Sequence, residues 1–374
     1  MKIVLNTTEI NAVASFNYIN ALRKIKNLTI NDFDNYELYD IILFLSYKND
    51  LKEIVRVKKK YPKTIIGIID PRGSEVDKIV DFLDFIIIDS IEMKDFFSKY
   101  QLPIFTYSEY TYFDNQQKIN LKNHEKTIIG YHGNKLHLIA MYPNVFKALE
   151  LLAKKYSIEF WALYNFKKLG KLNFGFPKNL KVRHIQWSES NFVNELSKVD
   201  IGIVPSMMPI NNLKNIKRKS SHLSNLFNES NDDYLVRYKM PSNPGRILSF
   251  AFLEIPVIAD LIPSSLQLIK DGENGLLAYS VGGWYNALKS LITDHNLRLK
   301  MVSKMNIKLD DYTHSSQNKK LILFLKDLLE NKKETNKTIL EHFNERSLYE
   351  IPNFKIYILK KFIKKNLIKF FTFR

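Results

Sequence analysis

Short runs rich in isoleucine and valine recur along the chain, and they constrain its fold more than any other feature. Most of these runs lack polar alternation, which is typical of strands that are covered on both faces of a sheet. They start at Lys2, Asp40, Thr64, Phe85 and Ile104 in a first series, and at Thr127, Ile158, Leu180, Asp200 and Pro256 in a second. Because stretches with helical periodicity separate them, the sequence predicts βα units around parallel sheets.

The stretches between the runs predict helices, and one polar stretch predicts a domain boundary. The candidate helices are Ala14–Lys26, Lys48–Lys60, Pro143–Lys155, Ser190–Lys198, Pro244–Leu253 and Gly282–Ile292. Phe113–Lys126 is polar and separates the two series, so we expect an α/β protein with doubly wound domains at 1–112 and 127–330 and a tail at 331–374. Ligands of open parallel sheets bind at the carboxyl ends of the strands, so the expected site is a cleft between the domains.

Charge and cysteine content narrow the function classes. The 374 residues include 56 Lys plus Arg against 39 Asp plus Glu, a formal net charge of +17 that favours contact with phosphate groups. The segment Asn353–Arg374 contributes +7 of this surplus, from six Lys and one Arg without an acid. Cysteine is absent, which excludes disulfides, thiolate zinc sites and a cysteine nucleophile.

Several common motifs are missing. The first βα turn, KIVLNTTEINAVASF from Lys2, contains no glycine, which disfavours a nicotinamide or flavin site. There is no GxxxxGK[ST], HExxH or paired Cys or His spacing, so neither a P-loop nor a metal or other cofactor is expected. The first residues lack the apolar region of a signal peptide, and no stretch approaches the ~18 apolar residues needed to span a bilayer. We therefore expect a cytoplasmic protein, soluble or at a membrane surface.

The start of one candidate helix has the features of an anion site. Ser242 or Asn243 is a natural N-cap, and Pro244 suits the first helical position. The free N–H groups of this helix would point into the cleft. Lys239 and Arg246 flank the helix start, where cations oppose the helix dipole unless an anion is bound. The pattern therefore predicts a bound phosphate; a capped helix with two solvated cations is the alternative.

The same region resembles the C-terminal domain of GT-B glycosyltransferases, in particular the nucleotide-sugar-dependent, family-4-like group. The resemblance is carried by Lys239, Ser242, Asn243, Arg246, Pro256–Ala259, Pro263 and Asp271–Leu277, with support from Ile129–Asn134 and Asp200–Ser206. It implies two Rossmann-like domains that face each other across a cleft. It also implies metal-independent transfer of a sugar from a nucleotide diphosphate, without a cofactor.

By this resemblance, Lys239 and Arg246 stabilise the departing diphosphate. The implied donor-binding residues are Gly133, Asn134, Lys135, Ser242, Asn243, Gly245, Pro263 and Ser264. One departure concerns a pair of glutamates that the family usually carries, because their positions are held here by Pro241 and Ser249. The group implies retention at the sugar, and the missing pair leaves inversion open.

Candidates in the first domain follow from strand ends. Asp70 follows a buried run and should face the cleft, where it is the candidate base for an acceptor hydroxyl; a turn-forming or capping role is the alternative. Ser90 and Glu109 also lie at strand ends. His132 and His137 flank a strand end in the second domain and are expected to be structural.

Two further segments carry predictions. The long basic segment after Ser206 is either a solvated loop or a part that recognises the acceptor. On a helix, the tail places apolar residues on one face and lysines opposite, which predicts an interfacial helix on anionic lipid. The residues expected at the membrane are Lys360, Lys361, Phe362, Lys364, Lys365, Lys369 and Phe370. Packing of the tail on the protein's own domains is the alternative.

Together these features predict a glycosyltransferase, peripheral on the inner face of the cell membrane. Its partners would be a UDP- or GDP-linked sugar and a cell-envelope glycan or lipid-linked acceptor. A catalytically inactive GT-B binding or scaffold protein is one alternative. A basic nucleic-acid-binding protein is the other, but the sequence has no RRM, KH or helix-turn-helix signature, so no nucleic acid partner is expected.

Overall fold

Two six-stranded parallel sheets form the framework of the protein. The computed structural model describes residues 1–71, 73–111, 126–173, 175–206 and 243–331. The strand orders are β2-β1-β3-β4-β5-β6 and β12-β11-β10-β7-β8-β9. The expected α/β architecture of two doubly wound domains is confirmed.

The strands of the first sheet are built from the apolar runs. They are β1 (Ile3–Asn6), β2 (Leu28–Ile30), β3 (Ile41–Leu45), β4 (Ile65–Ile69), β5 (Phe85–Ile88) and β6 (Ile104–Thr106). Every residue of β1, β3, β4 and β5 is buried, because helices cover both faces of the sheet. β3 and β4 pair in register along their whole length, from Ile41 with Ile65 to Leu45 with Ile69.

The second sheet repeats this plan. Its strands are β7 (Thr127–His132), β8 (Ile158–Tyr164), β9 (Lys181–Gln186), β10 (Ile201–Val204), β11 (Val257–Asp260) and β12 (Leu276–Ala278). β7 lies beside both β8 and β10, so its carboxyl end, at His132, falls in the middle of the sheet edge. Strand order reverses at this point, which is where ligands of open sheets bind.

Helices connect the strands. In the described residues they are α1 (Val13–Leu22), α2 (Lys48–Lys60), α3 (Ile91–Phe97), α4 (Lys135–Ala140), α5 (Asn144–Ala153), α6 (Phe166–Leu169), α7 (Phe192–Leu196), α8 (Gly245–Phe252), α9 (Pro263–Leu266), α10 (Val281–Thr293), α11 (His295–Leu309) and α12 (His314–Glu330). None of them is both long and apolar enough to cross a membrane.

Some elements differ from the predictions. The short edge strands β2 and β12 were not predicted, since each has three residues and only partial burial. α1 ends at Leu22 rather than at Lys26, and a left-handed residue, Asn27, then turns the chain into β2. The bounds of α2 are those predicted, Lys48–Lys60.

The last helix returns to the first sheet. Leu321 and Leu325 of α12 are buried in the core cluster that contains β1 and α1, and the Asn318 side chain donates to the carbonyl oxygen of Ala21 at 2.8 Å. Residues 314–330 therefore pack with the first domain, although the sequence assigned them to the second.

Three sequence predictions concern segments outside the described residues. They are most of the linker 113–126, the basic segment after Ser206, and the tail 331–374 beyond its first residue.

Candidate functional site

A cavity of about 320 Å³ lies between the carboxyl ends of the two sheets. The first domain contributes the start of α1 and the segment after β6, through Val13, Ala14, Asn17, Glu109, Tyr110 and Thr111. The second domain contributes His132, Gly133, Asn134, His137, Asn165, Leu169, Trp187, Asn243, Gly245, Arg246 and Ser249. The cavity is therefore in the cleft that the sequence predicted.

The N-terminus of α8 forms one wall of this cavity. The N-cap position is Pro244, and the side-chain oxygen of Asn243, one residue before it, accepts a hydrogen bond from the backbone N–H of Gly245 at 3.1 Å. The helix begins at Gly245, one residue later than predicted. Ser249 is buried, and its hydroxyl donates to the carbonyl oxygen of Gly245 at 3.0 Å. A short hydroxyl that binds its own helix thus stands where the family usually has a glutamate.

Gly245 is the point where the two domains approach each other most tightly in this wall. A Cβ atom built on Gly245 would overlap the backbone carbonyl oxygen of Glu109. Backbone cannot retreat as a flexible side chain can, so only glycine allows this approach. The contact brings the segment after β6 directly against the start of α8.

Arg246 places a fixed positive charge at the cavity. Its guanidinium donates to the carbonyl oxygen of Pro205 at 2.9 Å and to the hydroxyl of Ser206 at 2.7 Å, both at the end of β10. Burial lowers the pKa of Arg246, and Tyr131 and Asp260 oppose that shift. An arginine keeps its proton in proteins, so the side chain remains a cation with further N–H donors.

The loop after β7 packs against Arg246. Gly133 has a φ of 137°, and a Cβ there would lie 3.0 Å from both the Arg246 Cδ and the Tyr131 hydroxyl oxygen. The His132 Nε2 is 3.4 Å from the carbonyl oxygen of Arg246. Burial, with a smaller effect of the Arg246 charge, lowers the pKa of His132 to about 3, so its imidazole is neutral. The loop thus holds both the backbone and the side chain of Arg246.

Two buried acids, Glu109 and Asp89, lie on the first-domain side, and Glu109 lines the cavity. Glu109 accepts a hydrogen bond from the side-chain amide of Asn17, and Asp89 accepts one from the Tyr18 hydroxyl. The Asn243 amide nitrogen lies 3.5 Å from a carboxylate oxygen of each acid. Burial, and then the charges of Asp89, Asp70 and Glu109, raise the pKa of Tyr18. The cavity is thus lined by Arg246 on one side and by Glu109 on the other, whereas Asp89 and Asp70 are not among its lining residues. In the described residues, no three His, Asp or Glu side chains are arranged to hold a metal ion.

Several predicted residues lie elsewhere. Asp70 is buried at the end of β4, in a left-handed conformation, but it does not line the cavity. Lys135 does not line the cavity itself, but its ammonium donates to the carbonyl oxygen of Leu169, a lining residue, at 3.0 Å. Pro263 and Ser264 start α9, where the Ser264 N–H donates to Glu92 of the first domain at 2.9 Å. Their roles in catalysis and donor binding stay predictions.

Of the other predicted residues, Gly133, Asn134, Asn243, Gly245 and Arg246 are brought together around the cavity. Lys239 and Ser242 lie outside the described residues.

The sequence did not single out Asn17 or Trp187, and it gave Glu109 only as a strand-end residue. Asn17 is one of three buried polar residues of α1, with Ser15 and Asn20, beside the apolar Tyr18, Ile19, Ala21 and Leu22. A polar residue on a buried helix face is the one signal that could have suggested Asn17. The sequence could not show its contact with Glu109, because that contact joins distant parts of the chain.

Comparison with solved structures decides the fold. HepE from Anabaena, solved in complex with UDP, aligns with 88% of this chain and 100% of its own, at 12% identity and a TM-score of 0.57. An α,α-trehalose-phosphate synthase (UDP-forming) from Burkholderia xenovorans, in complex with glucose-6-phosphate, aligns with 87% of this chain and 100% of its own, at 10% identity and a TM-score of 0.56. The chain has the GT-B fold.

TarM from S. aureus, in a complex that includes UDP, is a more partial match. It aligns with 78% of this chain and 55% of its own, at 12% identity and a TM-score of 0.50. No protein-family model matches the chain, and no curated protein matches it in sequence. The GT-B resemblance found in the sequence is thus confirmed as a fold, with the cavity in the cleft between its two domains.

Proposed function

We propose that the protein transfers a sugar from a UDP- or GDP-linked donor to a hydroxyl group of a cell-envelope glycan or lipid-linked acceptor. The observation that carries this proposal is the composition of the cavity. One wall presents the Arg246 cation and the N-terminus of α8, and the other presents the Glu109 carboxylate. The structural likeness to HepE, solved in complex with UDP and glucose, supports the same class of donor.

The charges of the second-domain wall suit a departing diphosphate. Transfer breaks the bond between the sugar C1 and the β-phosphate oxygen, and the electron pair leaves with the nucleoside diphosphate. Negative charge on that oxygen grows as the bond breaks, so a fixed cation and helix N–H groups stabilise the transition state more than the ground state. Arg246 is already held in place by Pro205 and Ser206, so it needs little reorganisation. We propose Lys239 as a second cation.

The first-domain wall suits an acceptor hydroxyl. The new bond joins the acceptor oxygen to the sugar C1, and the hydroxyl proton must leave. Glu109 lines the cavity and is oriented by Asn17, so it can accept a hydrogen bond from that hydroxyl. Asp70 remains the base predicted from the sequence, although it does not line the cavity. Retention at the sugar rests on the sequence resemblance, and NMR of the product's anomeric proton tests it.

A thermal and chemical unfolding series with UDP, GDP and their sugars tests the donor site. A nucleotide that binds the folded protein at a hundred times its Kd should raise the unfolding free energy by about 2.7 kcal/mol. Arg246→Gln should reduce this gain, whereas Lys300→Gln, on the exposed surface of α11, should leave it unchanged. Absence of stabilisation by every nucleotide would overturn the donor site.

Ser249 favours a second candidate, a nucleotide-sugar-binding protein without transferase activity. Its hydroxyl is turned back onto its own helix and lies where the family usually has an acid. Binding of a nucleotide sugar without release of nucleoside diphosphate, measured by chromatography with a panel of sugar acceptors, would support this candidate. Release that depends on Arg246 would exclude it.

A further inference from the structure

A second, larger hollow lies on the first domain, outside the cleft. It has a volume of about 820 Å³ and runs between the turn after α1 and one flank of α12. We call it the basic groove. Its lining residues are Met1, Lys24, Ile25, Lys26, Asn27, Ser315, Asn318, Lys319, Ile322, Leu323 and Lys326.

The basic groove combines cations with exposed apolar surface. Lys24 and Lys26 stand on one side and Lys319 and Lys326 on the other, and none of the described residues that line it is acidic. Between the lysines, Leu323 keeps 66% of its surface exposed. The composition fits a ligand with a negative head and an apolar body.

The groove wall on α12 is a regular helical stripe. Ser315, Lys319, Ile322 and Lys326 are spaced three or four residues apart, so they lie along one flank of the helix. The neighbouring positions Leu321 and Leu325 are buried in the core of the first domain. The lysines of the stripe are therefore carried on a firmly packed element.

The basic groove is separate from the catalytic cleft. Val13 and Ala14, at the start of α1, line the cleft, whereas Lys24 follows the end of the same helix. A helix of ten residues is about 15 Å long, so a molecule seated in the groove lies about that far from the cavity. The groove is placed to anchor the protein and not to present an acceptor hydroxyl to the donor.

We infer that the basic groove binds an anionic phospholipid of a bilayer, with the lysines on the headgroup phosphate and Ile322 and Leu323 against the acyl region. A lysine near an anionic membrane surface attracts it, and exposed leucine inserts at the interface. A nucleic acid backbone would use the lysines but would leave Leu323 without a partner. This site depends neither on the donor site nor on the predicted interfacial tail.

Vesicle binding of the full chain tests the inference. Vesicles of phosphatidylcholine with about 30% phosphatidylglycerol carry the negative surface that such lysines recognise. Lys319→Gln with Lys326→Gln should weaken sedimentation with these vesicles about thirtyfold, from the attraction of two lysines. The matched control is Lys300→Gln with Lys304→Gln, which removes the same charge from exposed positions of α11. An equal loss in both variants, or no loss in the first, would overturn the site.

A second measurement locates the apolar contact. Leu323→Trp adds a tryptophan at the groove. Brominated acyl chains should quench the fluorescence of this variant more than they quench that of the wild-type protein. No added quenching would contradict insertion at the groove. Inorganic phosphate at millimolar concentration should displace the vesicles no more than sodium chloride of equal ionic strength does. Displacement beyond that control, in proportion to the phosphate bound, would show a phosphate-ion site and would overturn the inference.

Discussion

The Arg246 side chain bears on both the stability of the protein and the catalysis proposed for it. Its guanidinium fastens the end of β10 to the start of α8 through Pro205 and Ser206, and it faces the cavity at the same time. The neutral His132 and the tight loop at Gly133 pack around it. The sequence suggested a cation at this helix start, and the structure adds the contacts that keep the cation there.

Replacement of Arg246 should therefore affect both properties. Removal of one donor that stabilises transition-state charge costs about a hundredfold to a thousandfold in rate, so Arg246→Gln should lower kcat/KM by about that factor. Arg246→Lys keeps the charge but loses the forked geometry, and we expect an intermediate loss. Urea unfolding of both variants measures the stability effect separately. Unchanged transfer in Arg246→Gln would remove this residue from the mechanism.

Two buried histidines should make the stability of the protein depend on pH. Burial lowers the pKa of His132 to about 3 and that of His314 to about 4, with smaller effects of Arg246 and Lys24. In the unfolded chain both titrate near 6.5, so below that pH the unfolded state binds more protons and the unfolding free energy falls. Each histidine should lower it by about 2 kcal/mol between pH 7 and pH 5.

Urea titrations at the two pH values measure this loss. On acidification from pH 7 to pH 5, the unfolding free energy of His132→Gln should fall by about 2 kcal/mol less than that of the wild type, because one of the two histidines is gone. An equal loss in the variant would mean that His132 does not contribute to the pH dependence.

At the scale of elements, the start of α8 is defined by what it touches. The Asn243 side chain binds the first N–H of the helix and contacts two acids of the first domain, while Gly245 lies against the carbonyl oxygen of Glu109. A helix end that would otherwise be open is thus part of the boundary between the domains. The helix start for which the sequence predicts an anion site is in this way also part of the contact between the domains.

A methyl group at Gly245 should disturb that boundary. Gly245→Ala places a Cβ against rigid backbone, and we expect it to destabilise the protein by about 1–3 kcal/mol and to weaken nucleotide binding. Gly282→Ala is the matched control, since Gly282 also lies in the first turn of a helix and its nearest neighbouring atom is 4.0 Å from the added Cβ. That control should be neutral or slightly stabilising. Equal urea midpoints for the two variants would contradict the tight approach.

At the scale of the whole molecule, two helix starts are capped by side chains from opposite domains. Glu92 on α3 accepts a hydrogen bond from the Ser264 N–H of α9 at 2.9 Å, and Gln267 accepts one from the Ile91 N–H of α3 at 3.0 Å. α12, which follows the second domain in the chain, is docked on the first domain through Gln317, which donates to the carbonyl oxygen of Ser108 at 3.1 Å. We expect these contacts to set the distance between the two walls of the cavity.

Loss of the reciprocal caps should loosen the arrangement of the domains. Glu92→Ala with Gln267→Ala should increase the radius of gyration in X-ray scattering and raise KM for the donor, since the first-domain wall is no longer held at its distance. Ser280→Ala removes an N-cap inside the second domain and should cost about 1 kcal/mol of stability without a change in size. A double variant with wild-type dimensions would show that other contacts set the cleft.

The elements that the sequence predicted are those whose pattern is carried by neighbouring residues. Buried runs such as Ile41–Leu45 and Ile65–Ile69 predicted parallel strands, and the amphipathic pattern of Lys48–Lys60 predicted a helix with those bounds. A cap followed by proline predicted the start of α8 to within one residue. The short strand Leu28–Ile30 escaped notice, because three residues carry too little periodicity.

The sequence by itself determined the alternation of strands and helices, the two-domain GT-B plan and the cation at the start of α8. The alternation and the helix start follow from hydrophobic periodicity and capping, which act over a few neighbouring residues, whereas the GT-B plan came from the family resemblance of residues 239–277. Only the tertiary structure decided that Glu109, rather than Asp70, lines the cavity, that Ser264 binds Glu92, and that α12 returns to the first sheet. Each of these joins residues far apart in the chain, so its geometry exists only once the two domains have packed.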